Sequence, residues 1–345
     1  MGLKIKDIVK RQEITIKNLN SKILVIDTMN MLYQFLTTIR GPDGRPFTNS
    51  KGVVTSHLLG LFNRTTSLME NGLKLAFVFD GKAPDIKIKT WEKRNAIKKE
   101  ASLLLKKAEE AGDIEGMRKF AARTVKLDKE MIKNAKKIIT ALGLPIIQAP
   151  SEGEAQTAYM VKQGDAYASI SQDYDNLIFG CPTLIRNLSI EGKRKRMGKF
   201  AYQIVKPEII LLKNLLEENN INRDQLIVLA ILVGTDYNPE GIKGIGQKKA
   251  LKLIKEYGTD FDTIFKQVEW DNAYPDLSWK TLFDTIKDIP VTDNYDLEWK
   301  NFDEDELKEM LVKEFEFSRD RVNSKLEKLK KTRENMAQTG LNKFF

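Results

Sequence analysis

The segment Leu75-Ala76-Phe77-Val78-Phe79-Asp80 is a continuous apolar run that ends on an acid, and Ile23-Leu24-Val25-Ile26-Asp27 has the same form. Short apolar runs without polar interruptions are typical of strands buried on both faces of a parallel sheet. Between the two runs, residues 53–69 carry apolar side chains at helical spacing, so that strand, helix and strand alternate. The pattern predicts an α/β fold with a mainly parallel central sheet flanked by helices.

Two further segments carry the same signature. Residues 145–147 and 166–170 are short, largely apolar runs, and an acid follows each of them within a few positions. In an open α/β sheet, the carboxyl ends of parallel strands meet at one edge, where ligands gather. We therefore expect four strand ends to bring the following acids together: Asp27, Asp80, Glu152 and Asp173.

The composition restricts the available chemistry. His57 is the single histidine and lies in an apolar pattern typical of a packed or surface position, and Cys181 is the single cysteine. A zinc site of several histidines or thiolates and an internal disulfide framework are therefore excluded, and a Ser-His-Asp triad is disfavoured because its histidine would have to be His57. The chain has no apolar run near the roughly 18 residues of a membrane span and no signal peptide pattern at 1–10. We expect no membrane partner.

A basic segment separates the second and third predicted strands. The chain has 57 Lys and Arg against 48 Asp and Glu, a net charge of +9, and residues 82–123 are rich in lysine and arginine. Such an excess predicts a polyanionic partner. The segment is either a helical substrate guide over the active-site edge or an ordinary solvated helical hairpin. A second basic run at 193–196 is compatible with a DNA contact, a nuclear address or a charged turn.

After Pro207 the apolar spacing predicts helices at 209–216 and 223–233, followed by a glycine-rich turn at 241–246 and a lysine-rich helix. Glycine allows a tight turn with exposed backbone amides, and the start of a helix attracts phosphate. We expect this turn and helix to bind phosphate, and the candidate residues are Gly244, Gly246, Lys248 and Lys249.

The acids occur in closely spaced pairs. Glu152 and Glu154 are two residues apart, as are Asp173 and Asp175, and Asp236 precedes the glycine-rich turn. Seven carboxylates in one place raise one another's pKa unless protons or cations compensate their charge. Oxygen ligands favour Mg²⁺ or Mn²⁺, and two such ions about 4 Å apart hydrolyse phosphodiesters. Each acid taken alone is also compatible with a helix cap or a turn cap.

An ordered set of segments matches a known family. The chain resembles flap endonucleases, the structure-specific DNA nucleases of replication and repair, and is most similar to archaeal members. The resemblance runs essentially end to end. It implies a helical arch insertion, a helix-two-turn-helix DNA-binding motif, cleavage of 5′ flaps at the junction with duplex DNA, and an associated 5′-3′ exonuclease activity in Okazaki fragment maturation and DNA repair. The matching segments are 1–3, 25–27, 33–36, 77–82, 149–155, 172–175, 234–237 and 241–246.

The resemblance divides the acids between two metal ions, Mg²⁺ or its substitute Mn²⁺. The first ion is implied to bind Asp80, Glu152, Glu154 and Asp173. The second is implied to bind Asp173, Asp175 and Asp236, with Asp27 beside them. The family usually has alanine where this chain has Gly153, a difference that spares the ligands.

Other residues match positions that contact DNA in the family. Lys87 and Arg94 match arch residues at the scissile phosphate, and Tyr33 matches the aromatic side chain on which a base stacks. The arch corresponds to about 82–123 and the helix-two-turn-helix to about 225–257. The further implied DNA contacts are Gly2, Arg40 and Arg64, and the carbonyls implied to coordinate K⁺ are those of Gly241, Ile242 and Ile245.

The C-terminal residues resemble a motif that binds the PCNA sliding clamp. The motif has the form Q-x-x-L-x-x-F-F, in which one helical turn presents apolar side chains to a pocket. The matching residues are Gln338, Leu341, Phe344 and Phe345. The resemblance thus implies a single nuclease domain at 1–330 and a flexible clamp-binding tail at 331–345. We expect a monomer that is cytoplasmic in an archaeal cell, or nuclear if the source were eukaryotic.

Two other functions remain open at the level of sequence. A metal-dependent RNA nuclease would account for the acids, but not for the glycine-rich turn or the clamp motif. A clamp-tethered DNA-binding scaffold would make the acids structural. Cleavage of 5′-flap DNA, compared with cleavage of single-stranded RNA and with DNA binding alone, separates the three.

Overall fold

The computed structural model describes residues 2–121, 123–188, 192–195 and 202–341. Within these ranges the side chains at 88–89, 91–95, 192–195, 202–204 and 336–341 are outside the description. The side chains of Arg94, of the basic run at 193–196, and of Gln338 and Leu341 therefore lie outside the description, as do Phe344 and Phe345 altogether.

A mainly parallel β-sheet lies at the centre of the fold. The strands are β1 Gln12–Glu13, β2 Ile23–Asp27, β3 Lys74–Phe79, β4 Ile146–Gln148, β5 Ala168–Ile170, β6 Thr183–Arg186, β7 Gly192–Lys195, β8 Tyr202–Val205 and β9 Glu208–Leu211. The sheet order is β1-β9-β6-β5-β2-β3-β4, and the five strands from β6 to β4 run parallel. Strand β9 pairs antiparallel with β6 and β1, and β7 and β8 form a separate hairpin.

Helices surround the sheet and build the C-terminal half. In the first half they are α1 Thr28–Thr38, α2 Ser56–Glu70, α3 Ile88–Glu110, α4 Ile114–Ala121, α5 Lys129–Ala141, α6 Gly153–Gln163 and α7 Asp175–Ile178. In the second half they are α8 Leu212–Asn219, α9 Arg223–Val233, α10 Gln247–Tyr257, α11 Phe261–Gln267, α12 Trp270–Ala273, α13 Trp279–Lys287, α14 Glu304–Lys308 and α15 Arg319–Leu341. Short 3-10 turns at Ile16–Leu19 and Asp85–Lys87 and a π turn at Glu309–Glu314 complete the elements.

Both faces of the central strands are buried, which explains their unbroken apolar sequences. Leu24 and Ile26 of β2 pack with helix α2 in one apolar cluster, whereas Val25 packs with helix α6 in another. Ile26 lies opposite Phe77 of β3 on one side and Ile170 of β5 on the other. The mainly parallel α/β architecture predicted from the sequence is confirmed.

Local signals set the ends of the helices. Asp128 caps helix α5 by accepting a hydrogen bond from the backbone N–H of Met131 at 2.8 Å, which satisfies a free amide of the first turn. Helix α6 ends at Gln163, and Gly164 is its C-cap. The φ of Gly164 is +87°, a left-handed conformation that glycine adopts without steric cost. These caps set the start of helix α5 and the end of helix α6.

Two boundaries differ from the sequence predictions. The helix expected at 209–216 begins only at Leu212, because Glu208–Leu211 pairs with β6 as strand β9. Helix α15 continues to Leu341, past residue 331, where the sequence analysis places the start of the tail. Among the described helices, none has both the length and the apolar character that a bilayer crossing requires.

Candidate active site

Four strand ends place acids at one edge of the sheet. Asp27 is the last residue of β2, Asp80 directly follows β3, Glu152 precedes helix α6 after β4, and Asp173 lies between β5 and α7. Strands β5, β2, β3 and β4 are parallel neighbours, so their carboxyl ends share that edge. The structure thus brings these four predicted residues together.

One part of the cluster surrounds a lysine. The ammonium of Lys87 lies 2.7 Å from Oε2 of Glu152 and 3.7 Å from Oδ2 of Asp236. Burial lowers the pKa of Lys87, but the carboxylates of Glu152 and Asp236 together raise it above its ordinary value, so the side chain stays charged. Lys87 therefore supplies a positive charge inside the acidic cluster.

Asp80 lies beside the first turn of helix α6. Its Oδ1 accepts a hydrogen bond from the backbone N–H of Gly153 at 2.9 Å. A Cβ at residue 153 would lie 2.6 Å from the same oxygen, so glycine allows this close approach. The absence of a side chain at Gly153 therefore leaves room for the Asp80 carboxylate.

A second part of the cluster forms where α6, the loop after β5 and α7 meet. Carboxylate oxygens of Glu154, Asp173 and Asp175 lie within 4.8 Å of one another. The backbone N–H of Leu3 donates to Oδ2 of Asp175 at 3.4 Å. A Cβ at Gly2 would lie 2.2 Å from Oδ1 of Asp173, so the N-terminal segment passes directly against the acids.

Asp27 is held by neighbours that the sequence did not single out. Its Oδ1 accepts from the backbone N–H of Asn30, as a helix cap does, and its Oδ2 accepts from the hydroxyl of Ser171 at 3.2 Å. Asn30 also donates from Nδ2 to Asp173 at 2.7 Å. A polar side chain in the first turn of a helix is common, so the sequence offered no signal for these contacts.

Burial and mutual repulsion disfavour the charged forms of several acids. Desolvation, and then the carboxyls of Asp80 and Asp173, raise the pKa of Asp27 to about 8 from its ordinary 3.8. Desolvation followed by neighbouring carboxyls also raises the pKa of Glu154 and Asp175 well above their ordinary values. The cluster therefore needs protons or cations to compensate its charge near neutral pH.

The donor set fits hard divalent cations. The clustered side chains offer carboxylate oxygens without imidazole or thiolate, which is the preference of Mg²⁺ and Mn²⁺. Among the described residues, Oε1 of Glu152 is buried without a hydrogen-bond partner, although its second oxygen pairs with Lys87. A buried carboxylate oxygen without a donor is a suitable ligand for a cation.

Aromatic side chains line the site. The ammonium of Lys87 lies 5.1 Å from the ring centroid of Tyr237, which belongs to the turn that carries Asp236. Tyr33 lies on α1 with 36% of its surface exposed, and the ammonium of Lys98 from helix α3 lies 5.8 Å from its ring centroid. Tyr33 thus has a partly exposed ring beside a lysine of the basic segment.

Arg40 and Arg64 lie elsewhere and donate to the protein backbone. Arg40 donates from Nε to the carbonyl of Leu36 at 2.9 Å and from Nη1 to that of Gly44 at 2.7 Å. Arg64 donates from Nε to the carbonyl of Leu188 at 2.6 Å. Neither guanidinium is among the contacts of the acidic cluster, and both already hold loops in place.

The glycine-rich turn connects helices α9 and α10. Gly244 has a φ of +80°, and a Cβ there or at Gly246 would meet open space. Lys248 and Lys249 are exposed in the first turn of α10, as expected for a phosphate site. The carbonyls of Gly241 and Ile242, expected to coordinate K⁺, accept hydrogen bonds from the Tyr274 hydroxyl and the Ile245 N–H, both at 2.9 Å.

His57 and Cys181 do not take part in proton chemistry near neutral pH. Burial lowers the pKa of His57 to about 4 and raises that of Cys181 to about 12. His57 is 1% exposed on helix α2. Of the packed and surface positions that the sequence analysis allowed for His57, the structure shows the packed one.

Comparisons with known proteins assign this site to a family. The XPG N-terminal domain matches residues 2–101, and the XPG I-region matches residues 143–236, so both descriptions contain parts of the acidic cluster. The flap endonuclease 1 of Staphylothermus marinus is 50% identical over 352 residues and covers 100% of both chains. The flap endonuclease 1 of Pyrococcus horikoshii is 49% identical over 345 residues, which cover 100% of this chain and 98% of the relative.

A solved structure agrees with the sequence comparisons. The flap endonuclease-1 from Methanococcus jannaschii superposes with a TM-score of 0.75 at 38% identity, covering 97% of this chain and 100% of that chain. The superposition shows that the two proteins share the α/β fold described above. Matched along its whole length to these archaeal enzymes, the chain belongs to the flap endonuclease family.

Proposed function

We propose that the acidic edge hydrolyses a phosphodiester at the junction of a 5′ flap with duplex DNA, with an associated 5′-3′ exonuclease activity. One observation carries this proposal: four neighbouring strand ends, together with helices α6, α7 and the turn after α9, gather the carboxylates into one cluster, in which buried Lys87 contacts Glu152 and Asp236. The flap endonuclease family supplies the substrate class and the role in replication and repair. The bound cofactor is Mg²⁺, with Mn²⁺ as a substitute.

The acids divide into two ligand groups. Asp80, Glu152, Glu154 and Asp173 hold one ion, and Asp173, Asp175 and Asp236 hold the other, with Asp27 beside them. When bound, the two ions lower the pKa of the attacking water and stabilise charge on the leaving oxygen. The close approach of Glu154, Asp173 and Asp175 supports a shared site, and the Asp27 carboxyl contacts Asn30 and Ser171 instead.

Lys87 and Arg94 stabilise negative charge on the scissile phosphate. Lys87 reaches the acidic cluster from the residue before helix α3, and its ammonium is charged. A positive charge at this place stabilises the negative charge that develops on a phosphoryl oxygen in the transition state. Arg94 lies further along the same helix. The basic segment at 82–123, which contains α3 and α4, acts as the arch that guides the flap.

The remaining DNA contacts orient the substrate. The exposed ring of Tyr33 stacks on a base next to the scissile bond, and Gly2 lies near the phosphate. The helix-two-turn-helix at about 225–257 grips the duplex through Gly244, Gly246, Lys248 and Lys249. Arg40 and Arg64 add further contacts with the DNA. K⁺ at the turn binds the carbonyls of Gly241, Ile242 and Ile245, and those of Gly241 and Ile242 then accept a second partner or exchange their hydrogen bonds.

The protein works as a cytoplasmic monomer tethered to the PCNA sliding clamp. The tether is supported by the motif Gln338, Leu341, Phe344 and Phe345. The two phenylalanine side chains are more stable in an apolar pocket than exposed to water. The single nuclease domain spans 1–330, and 331–345 carries the motif.

Cleavage of matched substrates tests the function. We expect wild-type protein in Mg²⁺ to cut 5′-flap DNA at the junction, with little cleavage of single-stranded RNA of the flap sequence and none in EDTA. Preferential cleavage of the RNA would instead identify a metal-dependent RNA nuclease. Flap binding without any cleavage over a full Mg²⁺ titration would identify a DNA-binding scaffold.

A further inference from the structure

Asn30 joins two of the strand ends that carry the acidic cluster. Its Nδ2 donates to Oδ2 of Asp173 at 2.7 Å, and its Oδ1 accepts from the backbone N–H of Gln172 at 3.3 Å. Its own backbone N–H donates to Oδ1 of Asp27 at 3.0 Å. One residue in the first turn of helix α1 thereby holds both the end of β2 and the loop after β5.

The orientation of Asp173 depends on such contacts. Asp173 lies in the loop between Ile170 of β5 and Asp175 of α7, where no strand or helix ladder fixes the backbone. Ser171 supports the same loop, since its hydroxyl accepts from the backbone N–H of Asp173 at 3.3 Å and donates to Asp27. The side chain of Asn30 contacts the Asp173 carboxylate directly, through a hydrogen bond of 2.7 Å.

We propose that Asn30 is a positioning residue for metal binding, whose carboxamide fixes the carboxylate of Asp173 as a ligand. The proposal rests on the proposed function only through the assignment of Asp173 as a ligand. A carboxylate ligand that loses its hydrogen-bonding partner typically loses about 10-fold to 100-fold in metal affinity or activity. Asn30 therefore sets how tightly the site binds a cation, without contacting substrate itself.

The side chain of Asn30 is separable from its role in the helix. The bond to Asp27 comes from the backbone N–H, which any residue but proline retains. Alanine is the most favourable helix residue, so Asn30→Ala removes the bonds to Asp173 and Gln172 while the cap of α1 persists. Asn30→Leu keeps a similar volume and removes the same bonds, which separates hydrogen bonding from filling of space.

Binding of Mn²⁺ alone, measured by calorimetry without DNA, tests the proposal. We expect both variants to bind Mn²⁺ about 10-fold to 100-fold more weakly than wild type. Thr37→Ala is the matched control on helix α1, because the Thr37 hydroxyl donates only to the carbonyls of Tyr33 and Gln34 in its own helix. Thermal unfolding of each variant verifies that it is folded. Wild-type Mn²⁺ affinity in folded Asn30→Ala or Asn30→Leu would overturn the proposal.

The Mg²⁺ dependence of flap cleavage gives a second readout. Positioning of a metal ligand predicts that Asn30→Ala needs a higher Mg²⁺ concentration for half-maximal activity, by a similar factor, and regains most of the wild-type kcat at saturating Mg²⁺. A kcat deficit that no Mg²⁺ concentration restores, with unchanged half-activation, would overturn it. If wild type bound Mn²⁺ but cut no flap, the proposed function would fail, while the Mn²⁺ affinities would still decide the role of Asn30.

Discussion

Asp27 shows how the surroundings of a single residue decide its chemistry. It is 4% exposed at the end of β2, and burial followed by repulsion from Asp80 and Asp173 raises its pKa to about 8. The N–H of Asn30 and the hydroxyl of Ser171 offset this only in part. At neutral pH the carboxyl therefore holds a proton unless a nearby cation replaces it.

Without divalent metal, the protein should lose stability as the pH rises from about 4 to about 8. The pKa of Asp27 is 3.8 in an unfolded chain and about 8 in the folded protein, so in this window the folded state binds the extra proton and rising pH favours unfolding. Thermal unfolding in EDTA at several pH values measures the decline. Mg²⁺ should restore stability at the alkaline end.

Asp27→Asn is the control for this pH dependence. Because the asparagine amide does not titrate, the stability of the variant should fall less steeply as the pH rises. Near pH 8 the free energy of unfolding of the variant should exceed that of wild type by on the order of 1 kcal/mol or more. Identical pH slopes for variant and wild type would show that Asp27 does not carry the effect.

The acids were predictable from the sequence, whereas the residues that hold them were not. Asp80 and Asp173 follow apolar runs, and this local pattern places them at strand ends. Asn30 contacts Asp173 across 143 positions of sequence, and nothing in its local pattern distinguishes it from other polar residues of a helix. A contact of this kind depends on the alignment of two loops, which the fold alone determines.

At the scale of elements, the sequence predicted the strands that have a clear hydrophobic pattern. It did not predict the strands that form only because a neighbouring strand pairs with them. Strands β2 and β3 are buried on both faces, so their apolar runs are diagnostic. The apolar residues of β9 have a spacing that also fits the first turn of a helix. The segment forms a strand because it pairs antiparallel with the edge of β6. Strand β1 pairs over two residues, Gln12 and Glu13, which are too few for any pattern.

The first turn of helix α10 should contribute a salt-dependent part of the affinity for duplex DNA. Lys248 and Lys249 are exposed next to the open turn at Gly244 and Gly246. Replacing both lysines with alanine should weaken flap-DNA binding and reduce the slope of log affinity against log salt by about 2, or roughly one per phosphate contact. Binding measured at several salt concentrations gives the slope, and kcat at saturating DNA should change little.

Lys255→Ala provides the matched control for the pair. Lys255 is exposed on the same helix but in its last turn, away from the glycine-rich turn. Its replacement should leave the salt slope unchanged. An equal loss of slope in this variant would indicate a general charge effect of the helix rather than a site at its start.

At the scale of the whole molecule, the irregular segment 288–303 packs against the start of strand β3 and the loop before β4. The indole of Trp299 donates to the carbonyl of Leu75 at 2.8 Å, and the N–H of Lys300 donates to the carbonyl of Gly143 at 2.8 Å. The side chain of Arg333 on α15 donates to Asn301 and to the carbonyl of Lys300. These long-range bonds replace a regular element, so no sequence pattern could predict the course of the segment.

Removal of the C-terminal motif should separate clamp binding from catalysis. A chain that ends before Gln338 keeps every described residue of the acidic cluster, so clamp-free flap cleavage should remain nearly intact. Stimulation by PCNA should disappear, because the apolar residues for its pocket are gone. Cleavage rates with and without clamp measure both effects. An equal loss of both activities would contradict a purely tethering role.

The central claim is that the clustered acids perform catalysis rather than support the fold, and Asp173→Ala tests it most directly. Flap cleavage in Mg²⁺ and flap binding in Ca²⁺ are measured separately on wild type and variant. We predict that cleavage falls by at least about 1,000-fold while binding stays within a few-fold, since the variant removes a metal ligand and no contact with the duplex. Cleavage at the wild-type rate by Asp173→Ala would contradict the account.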